Sequence, residues 1–215
     1  LIRRCVEFFD HGRRNDGFVP MNYPCRLNQE SATYSMCYAM MYGDVVRNGG
    51  ADPAWLKARI PGLRNTMAAL QALENDEGLV VGLPSWTFVD WVLGWDHGEA
   101  PDGRSADRPS AVQNLFWVLA MQSASVAERA NGDAAQADYW TARAARTFAA
   151  VKARFWDAGR GLFADDVDHR HWSEHAQCLA ILSGLLSESE ERGVFDRMVA
   201  TTDLARTTVY FSHYL

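Results

Sequence analysis

Cysteine is scarce in this chain of 215 residues, and its basic residues never gather into a stripe. The four cysteines, Cys5, Cys25, Cys37 and Cys178, are scattered without a Cys-x-x-Cys pair. Neither a disulfide framework nor a zinc site is expected of them, because thiols in or beside apolar segments act as small hydrophobes. The formal charge of −6 is spread along the chain, which argues against nucleic acid as a partner. No apolar run approaches the ~18 residues of a membrane span, and no basic-then-apolar leader opens the sequence. The expectation is no membrane partner and a cytoplasmic location, unless a leader lies upstream. Gly-x-Gly-x-x-Gly, phosphate-loop and Gly-x-Ser-x-Gly motifs are also missing, so nucleotide cofactors and serine-hydrolase chemistry lose support and no cofactor is expected. No fixed repeat period is visible, against tetratricopeptide or HEAT arrays.

What is present is a hydrophobic fraction of 48%, enough for one domain or part of one, and well-punctuated helical periodicity. Asp52-Pro53 pairs an N-cap with a first-turn proline, opening a helix through Leu56, Ile60, Leu63, Met67 and Leu70 to near Glu74, with Pro61 expected to kink or divide it. Ser110 with Gln113 reads as a capping box for a helix running to Asn131-Gly132. Asp133 caps its hairpin partner through Trp140, Ala144, Phe148, Val151 and Phe155. Ser173 opens a helix apolar on several faces, and Ser187 with Glu190 a further capping box. Ser31 to Val46 is a helix rich in Tyr and Met. Strand patterns are confined to Leu79-Val80-Val81 and Gly161-Leu162-Phe163. The fold class is therefore all-α, a ring of helical hairpins whose long loops, Asp10 to Glu30, Asn75 to Arg108 and Asp157 to Trp172, emerge at one end. Leu1 to Phe9 already forms an uncapped apolar stripe and Val209 to Leu215 stops within an aromatic element. The reading is an internal piece, truncated at both ends, whose helices continue on both sides.

The densest chemistry lies in Ser85-Trp86-Thr87-Phe88-Val89-Asp90-Trp91, continuing through Trp95, Asp96, His97 and Glu99 to Arg108. Flat rings beside carboxylates suit a neutral ligand with many hydroxyls, since rings stack on C–H faces and carboxylates accept hydroxyl hydrogen bonds. Asp90, between Val89 and Trp91, is the acid placed in the site, with its pKa expected to rise in an apolar setting. The alternative is that Trp86 and Trp91 plug a core and Asp90 caps a helix. Glu99, Asp102 and Asp107 read as surface charges. His169, His171 and His175 follow three aspartates, yet Ser173 as the cap between His171 and His175 speaks against a metal pair, and no metal is expected. His175 either faces a polar ligand beside Glu174 or is structural. Tyr23, in a proline-containing loop, either stacks on a ligand or packs locally.

The order of motifs resembles the catalytic domain of bacterial α-L-rhamnosidases, which are six-hairpin glycosidases. The resemblance runs from Leu1-Ile2-Arg3-Arg4 and Asp16-Gly17-Phe18-Val19-Pro20 through Asp76-Glu77-Gly78-Leu79 and Trp86-Thr87-Phe88-Val89-Asp90-Trp91. It continues through Ala127-Glu128, Tyr139, Phe155-Trp156-Asp157, Gly161 to Asp165 and Ser173-Glu174-His175-Ala176-Gln177 to Leu182-Ser183-Gly184-Leu185. Trp-x-Phe-x-Asp-Trp is its most specific part. The resemblance implies an (α/α)6 barrel, of which residues 1–215 are the central part, hydrolysing terminal α-L-rhamnose of a rhamnose-containing carbohydrate with inversion. Inversion needs an acid and a base about 6.5 to 9.5 Å apart. In the family the acid sits in an acidic, Arg-containing motif upstream and the base is a downstream glutamate, and neither motif is found here. Trp86, Asp90, Trp91, Trp95, Tyr23 and His175 are thus expected as substrate-binding residues, and the chain alone as inactive. Other readings are a different six-hairpin glycosidase, glucoamylase-like or an unsaturated glucuronyl hydrolase, or a non-catalytic helical scaffold binding carbohydrate or protein.

Overall fold

The computed structural model describes residues 1–27 and 29–215. Its helices are α1 (Ile2–Gly12), α2 (Ala32–Arg47), α3 (Pro53–Gln71), α4 (Ala111–Ala130), α5 (Ala134–Phe155), α6 (Glu174–Leu182) and α7 (Glu188–Ala200). A small antiparallel hairpin, β1 (Trp156–Asp157) and β2 (Leu162–Phe163), sets Trp156 opposite Phe163. The all-α expectation holds. No helix among the described residues is long and apolar enough to cross a membrane, and all four cysteines are free.

Burial sorts the helices into two layers. Between Ala111 and Glu128 of α4 every residue but Gln122 and Val126 is buried, because α4 packs against α2, α5, α3 and α6. In α5, by contrast, burial follows one stripe, Ala137, Trp140, Ala144, Thr147, Phe148, Val151 and Phe155, as an amphipathic outer helix should show. α7 buries only Val194 and Met198. Helices α2, α4 and α6 form the inner layer, with α3, α5 and α7 outside.

Caps act largely where the sequence puts them. Asp52 accepts the Trp55 N–H at 2.8 Å, Asp133 that of Gln136 at 3.1 Å, and Ser173 that of Ala176 at 3.3 Å. Ser187 and Glu190 complete a reciprocal box. Two readings change. Ser110 makes no capping bond, and the Gln113 side chain that would complete the box is engaged elsewhere: its Oε1 accepts the Thr33 hydroxyl at 3.0 Å and its Nε2 donates to the Thr87 carbonyl at 2.9 Å. Helix α3 runs undivided through Pro61 and ends at Gln71. Glu74 lies beyond it, accepting the Trp117 indole N–H at 2.8 Å and an ion pair from Arg143.

The long loops are held by side chains on the first turns of the inner helices. Ser35 of α2 accepts the Val19 N–H at 3.0 Å. Asn114 of α4 accepts the Val80 N–H at 2.7 Å and donates to its carbonyl at 3.1 Å, so Leu79 to Val81 forms only an isolated bridge to Glu74. Gln177 of α6 repeats the device on Phe163, at 2.9 and 2.8 Å. Each bond satisfies a backbone group that would otherwise be buried without water. The loops therefore collect at the N-terminal end of the inner layer.

Candidate functional site

The loop from Gly82 to Arg108 crosses that end. It is stitched to the start of α2 by bridges from Ser31 to Ser85 and Trp86, and to itself by Phe88 with Glu99. Ser85 and His97 adopt positive φ, 62° and 50°, a conformation uncommon for residues other than glycine. Gly98 is required by contact as well as by its φ of 74°, since an added Cβ would lie 2.7 Å from the Phe88 ring.

On this frame the aromatic rings form a continuous platform. Phe88 is buried and contacts Trp86 at 4.8 Å, Trp91 at 5.0 Å and Tyr210 at 5.8 Å between centroids. Trp86 and Trp91 lie 5.9 Å apart, and the Trp86 indole N–H donates to the His97 carbonyl at 3.0 Å. Trp91 is 62% exposed and Tyr210 48%, so buried Phe88 supports rings whose outer faces meet solvent. The alternative reading, that Trp91 plugs a core, is not met.

Beneath the platform Asp90 is wholly buried and saturated with donors. Its Oδ2 accepts the Thr208 N–H at 2.7 Å and His175 Nε2 at 2.9 Å; its Oδ1 accepts the Trp91 N–H at 2.9 Å and the Thr208 hydroxyl. Burial pushes the Asp90 carboxyl up, but the Thr208 and His175 bonds outweigh it and hold the pKa below the ordinary value. This reverses the expected rise: Asp90 stays ionised. Burial depresses the His175 pKa, and the Asp90 contact only partly opposes it. A neutral imidazole protonated on Nε2 fits this geometry. His175 is itself fully buried, between Trp95 at 4.7 Å and Phe211 at 4.2 Å. Both residues were expected to face the ligand. In the structure both are fully buried, and their hydrogen bonds tie the loop to α6 and to the segment at Thr208.

The remaining candidates separate. Trp95 is partly buried and lines a cleft of about 410 Å³ with Glu99, Asp102, Arg104, Asp166, Arg170 and His171. Glu99 is only 5% exposed, accepting the Thr87 N–H at 2.9 Å and facing Arg104 at 3.3 Å, so its reading as a solvated charge fails. Asp102 pairs with Arg108 at 3.2 Å, and Asp107 accepts the Ser105 hydroxyl at 3.0 Å. His171 faces Asp166 at 3.3 Å while His175 points at Asp90, with Ser173 capping between them. No group of His, Cys, Asp and Glu among the described residues is placed to hold a metal ion. Tyr23 is exposed and lies against Gly12 of α1, and among the described residues it makes no ring contact with the platform. Sequence reasoning missed Thr208 and Tyr210. Tyr210 carried a signal, the aromatic run at Val209 to Leu215, but Thr208 carried none.

Stacked helical hairpins with aromatic and acidic loops gathered at one end define a six-hairpin glycosidase domain. The chain belongs to the family of the bacterial alpha-L-rhamnosidase six-hairpin glycosidase domain, whose model matches residues 1–209. Among solved structures it is similar to a rhamnosidase from Klebsiella oxytoca with rhamnose bound, at 19% identity and a TM-score of 0.81 over 100% of this chain and 40% of that one. It is also similar to a GH78 family rhamnosidase of a Bacillus species, at 19% identity and a TM-score of 0.78 over 96% of this chain and 21% of that one. A mannosylglycerate hydrolase from Thermus thermophilus in complex with glucose matches more loosely, at 12% identity and a TM-score of 0.57 over 91% of this chain and 65% of that one. These likenesses are of fold. The chain spans less than half the length of the two rhamnosidases. A comparison with curated proteins gave no match.

Proposed function

We propose that this chain is the central part of an (α/α)6 glycoside hydrolase domain and supplies one wall of a pocket for terminal α-L-rhamnose. The observation that carries the reading is the exposed Trp91 ring, set on Phe88 and fixed from below by the Asp90 clamp. A rigid apolar face of this kind stacks on the C–H face of a pyranose. Trp86, Trp91 and Trp95 are the ligand-facing residues; Asp90 and His175 are positioning residues. The carboxylates beside the platform already have donors: Asp90 as described, Glu99 with Thr87 and Arg104, and Glu174 with Arg206 at 2.6 Å and the Thr207 N–H at 2.7 Å. The reading keeps what the family resemblance implies, that hydrolysis with inversion takes its acid and base from motifs not found in residues 1–215.

Two measurements test this. Titration calorimetry with L-rhamnose is expected to show binding that Trp91→Ala weakens by about tenfold or more, the loss of one stacked ring; unchanged affinity would remove Trp91 from the site. The chain by itself is expected to leave an aryl α-L-rhamnoside unhydrolysed, and turnover would place acid and base within it. Failure to bind L-rhamnose while binding another monosaccharide would favour a different six-hairpin glycosidase.

A further inference from the structure

Helix α2 carries a row of tyrosines four residues apart, Tyr34, Tyr38 and Tyr42, a spacing that sets them near one face. The two deeper ones are shut in the core. Tyr38 and Tyr42 are fully buried with their hydroxyls 2.8 Å apart, and the chain of bonds closes on the Asp10 carboxylate and the Arg59 carbonyl, each at 3.1 Å. Tyr34 stands in the first turn, at the end where the loops gather, and its partner comes from a different part of the chain.

That partner is Tyr210. Both rings pack on Phe88, Tyr34 at 6.4 Å and Tyr210 at 5.8 Å between centroids, and their hydroxyls interact with each other. Unlike the buried pair, this one reaches solvent, through the half-exposed Tyr210. Burial raises the pKa of both phenols, so each keeps its hydrogen. A phenol hydroxyl has one hydrogen to give and lone pairs to receive. Two that face each other use one hydrogen between them and leave the second, with the remaining lone pairs, for a ligand.

The platform has need of such a group. Stacked rings hold the C–H face of a sugar without fixing where each hydroxyl lies, and orientation in a small-ligand site comes from a few placed polar groups. The Trp86 indole N–H is engaged by the His97 carbonyl at 3.0 Å, and Asp90, Glu99 and Glu174 hold the donors named above. A neutral pair that both donates and accepts matches a ligand whose hydroxyls do the same.

We propose that the Tyr34–Tyr210 hydroxyl pair sets the specificity of the platform: Tyr210 bonds one ring hydroxyl of the stacked sugar, and Tyr34 is a positioning residue that orients the Tyr210 hydroxyl. The inference rests on reading Trp86 and Trp91 as a sugar platform. It adds the group that selects among sugars of similar ring shape, which the stacked rings by themselves accept alike.

Titration calorimetry tests the pair, with L-rhamnose, its analogues that each lack one of its hydroxyls, and D-glucose as probes. Tyr210→Phe keeps the ring on Phe88 and removes only the oxygen. It is expected to weaken L-rhamnose binding about tenfold, the worth of one hydrogen bond, and to leave unchanged the affinity for the one analogue that lacks the bonded hydroxyl. Tyr34→Phe is expected to weaken binding less, and to add nothing in the Tyr210→Phe background. An affinity equal to that of the parent, a loss that is the same for every analogue, or losses that add between the two variants overturns the pair. If Trp91→Ala still weakens binding in that case, the platform stands and only the hydroxyl pair falls. D-glucose bound in place of L-rhamnose, with the same response to Tyr210→Phe, leaves the pair standing and overturns the rhamnose reading; a parent that binds neither sugar overturns both.

Discussion

Removing the Asp90 carboxylate would strand four donors together: the N–H groups of Trp91 and Thr208, the Thr208 hydroxyl and His175 Nε2. Breaking one side of a buried charged network costs about 3 to 5 kcal/mol, so Asp90→Ala is expected to lower stability by about 3 kcal/mol or more in urea denaturation. The two buried titrating residues pull stability in opposite directions with pH. His175 has its pKa depressed by burial from 6.5, so the unfolded chain takes up a proton that the folded one resists, and stability falls as pH drops below about 6.5. Asp165 is raised from 3.8 to about 7. The folded chain there keeps a proton the unfolded chain has lost, and stability falls as pH climbs between those values. Asp165→Asn is therefore expected to gain stability relative to the parent between pH 4 and 7, read from urea midpoints at successive pH values. A difference independent of pH would mean that Asp165 titrates normally.

At the scale of the element, what could be read in the sequence was whatever depends on near neighbours. Ser187 and Glu190 stand three residues apart and cap α7 as their spacing requires. Ser187→Ala should cost about 1 kcal/mol. Ser110 and Gln113 have the same spacing, but Gln113 bridges Thr33 and Thr87, leaving the buried Ser110 hydroxyl without a partner. Ser110→Ala should cost well under half as much, and thermal melts of the two variants compare them directly. The difference arises because Thr33 lies in a distant helix, which no local pattern registers. The same holds at the site. Trp86, Phe88 and Trp91 announced themselves by type and spacing, and so did the caps of α3, α5 and α6. Thr208 donates to Asp90 across 118 positions of sequence, and a lone threonine near an aromatic run gives no hint of it. Asp90 itself was found, but its pKa shift was misjudged because apolar neighbours were visible and its donors were not.

In the whole molecule, an inner layer buried on nearly all sides lends its first turns to the loops, while the outer layer presents one stripe each and otherwise faces solvent. Ser35, Asn114 and Gln177 do the same task on three different helices. The site is thus built from loops that have little regular structure of their own but are hydrogen-bonded to a rigid floor. The Asp90 clamp couples two of these pieces energetically. If docking of the Thr208 segment and ordering of the Trp91 loop share one carboxylate, a ligand that favours the ordered loop must favour the docked segment by the same free energy. The amide of Thr208, remote from the stacked face in sequence, then becomes a reporter of occupancy. Its hydrogen exchange should slow as L-rhamnose fills the platform, and the slowing should vanish in Trp91→Ala. A sugar held at one edge of the protein would be felt as local rigidity at the other partner of the clamp.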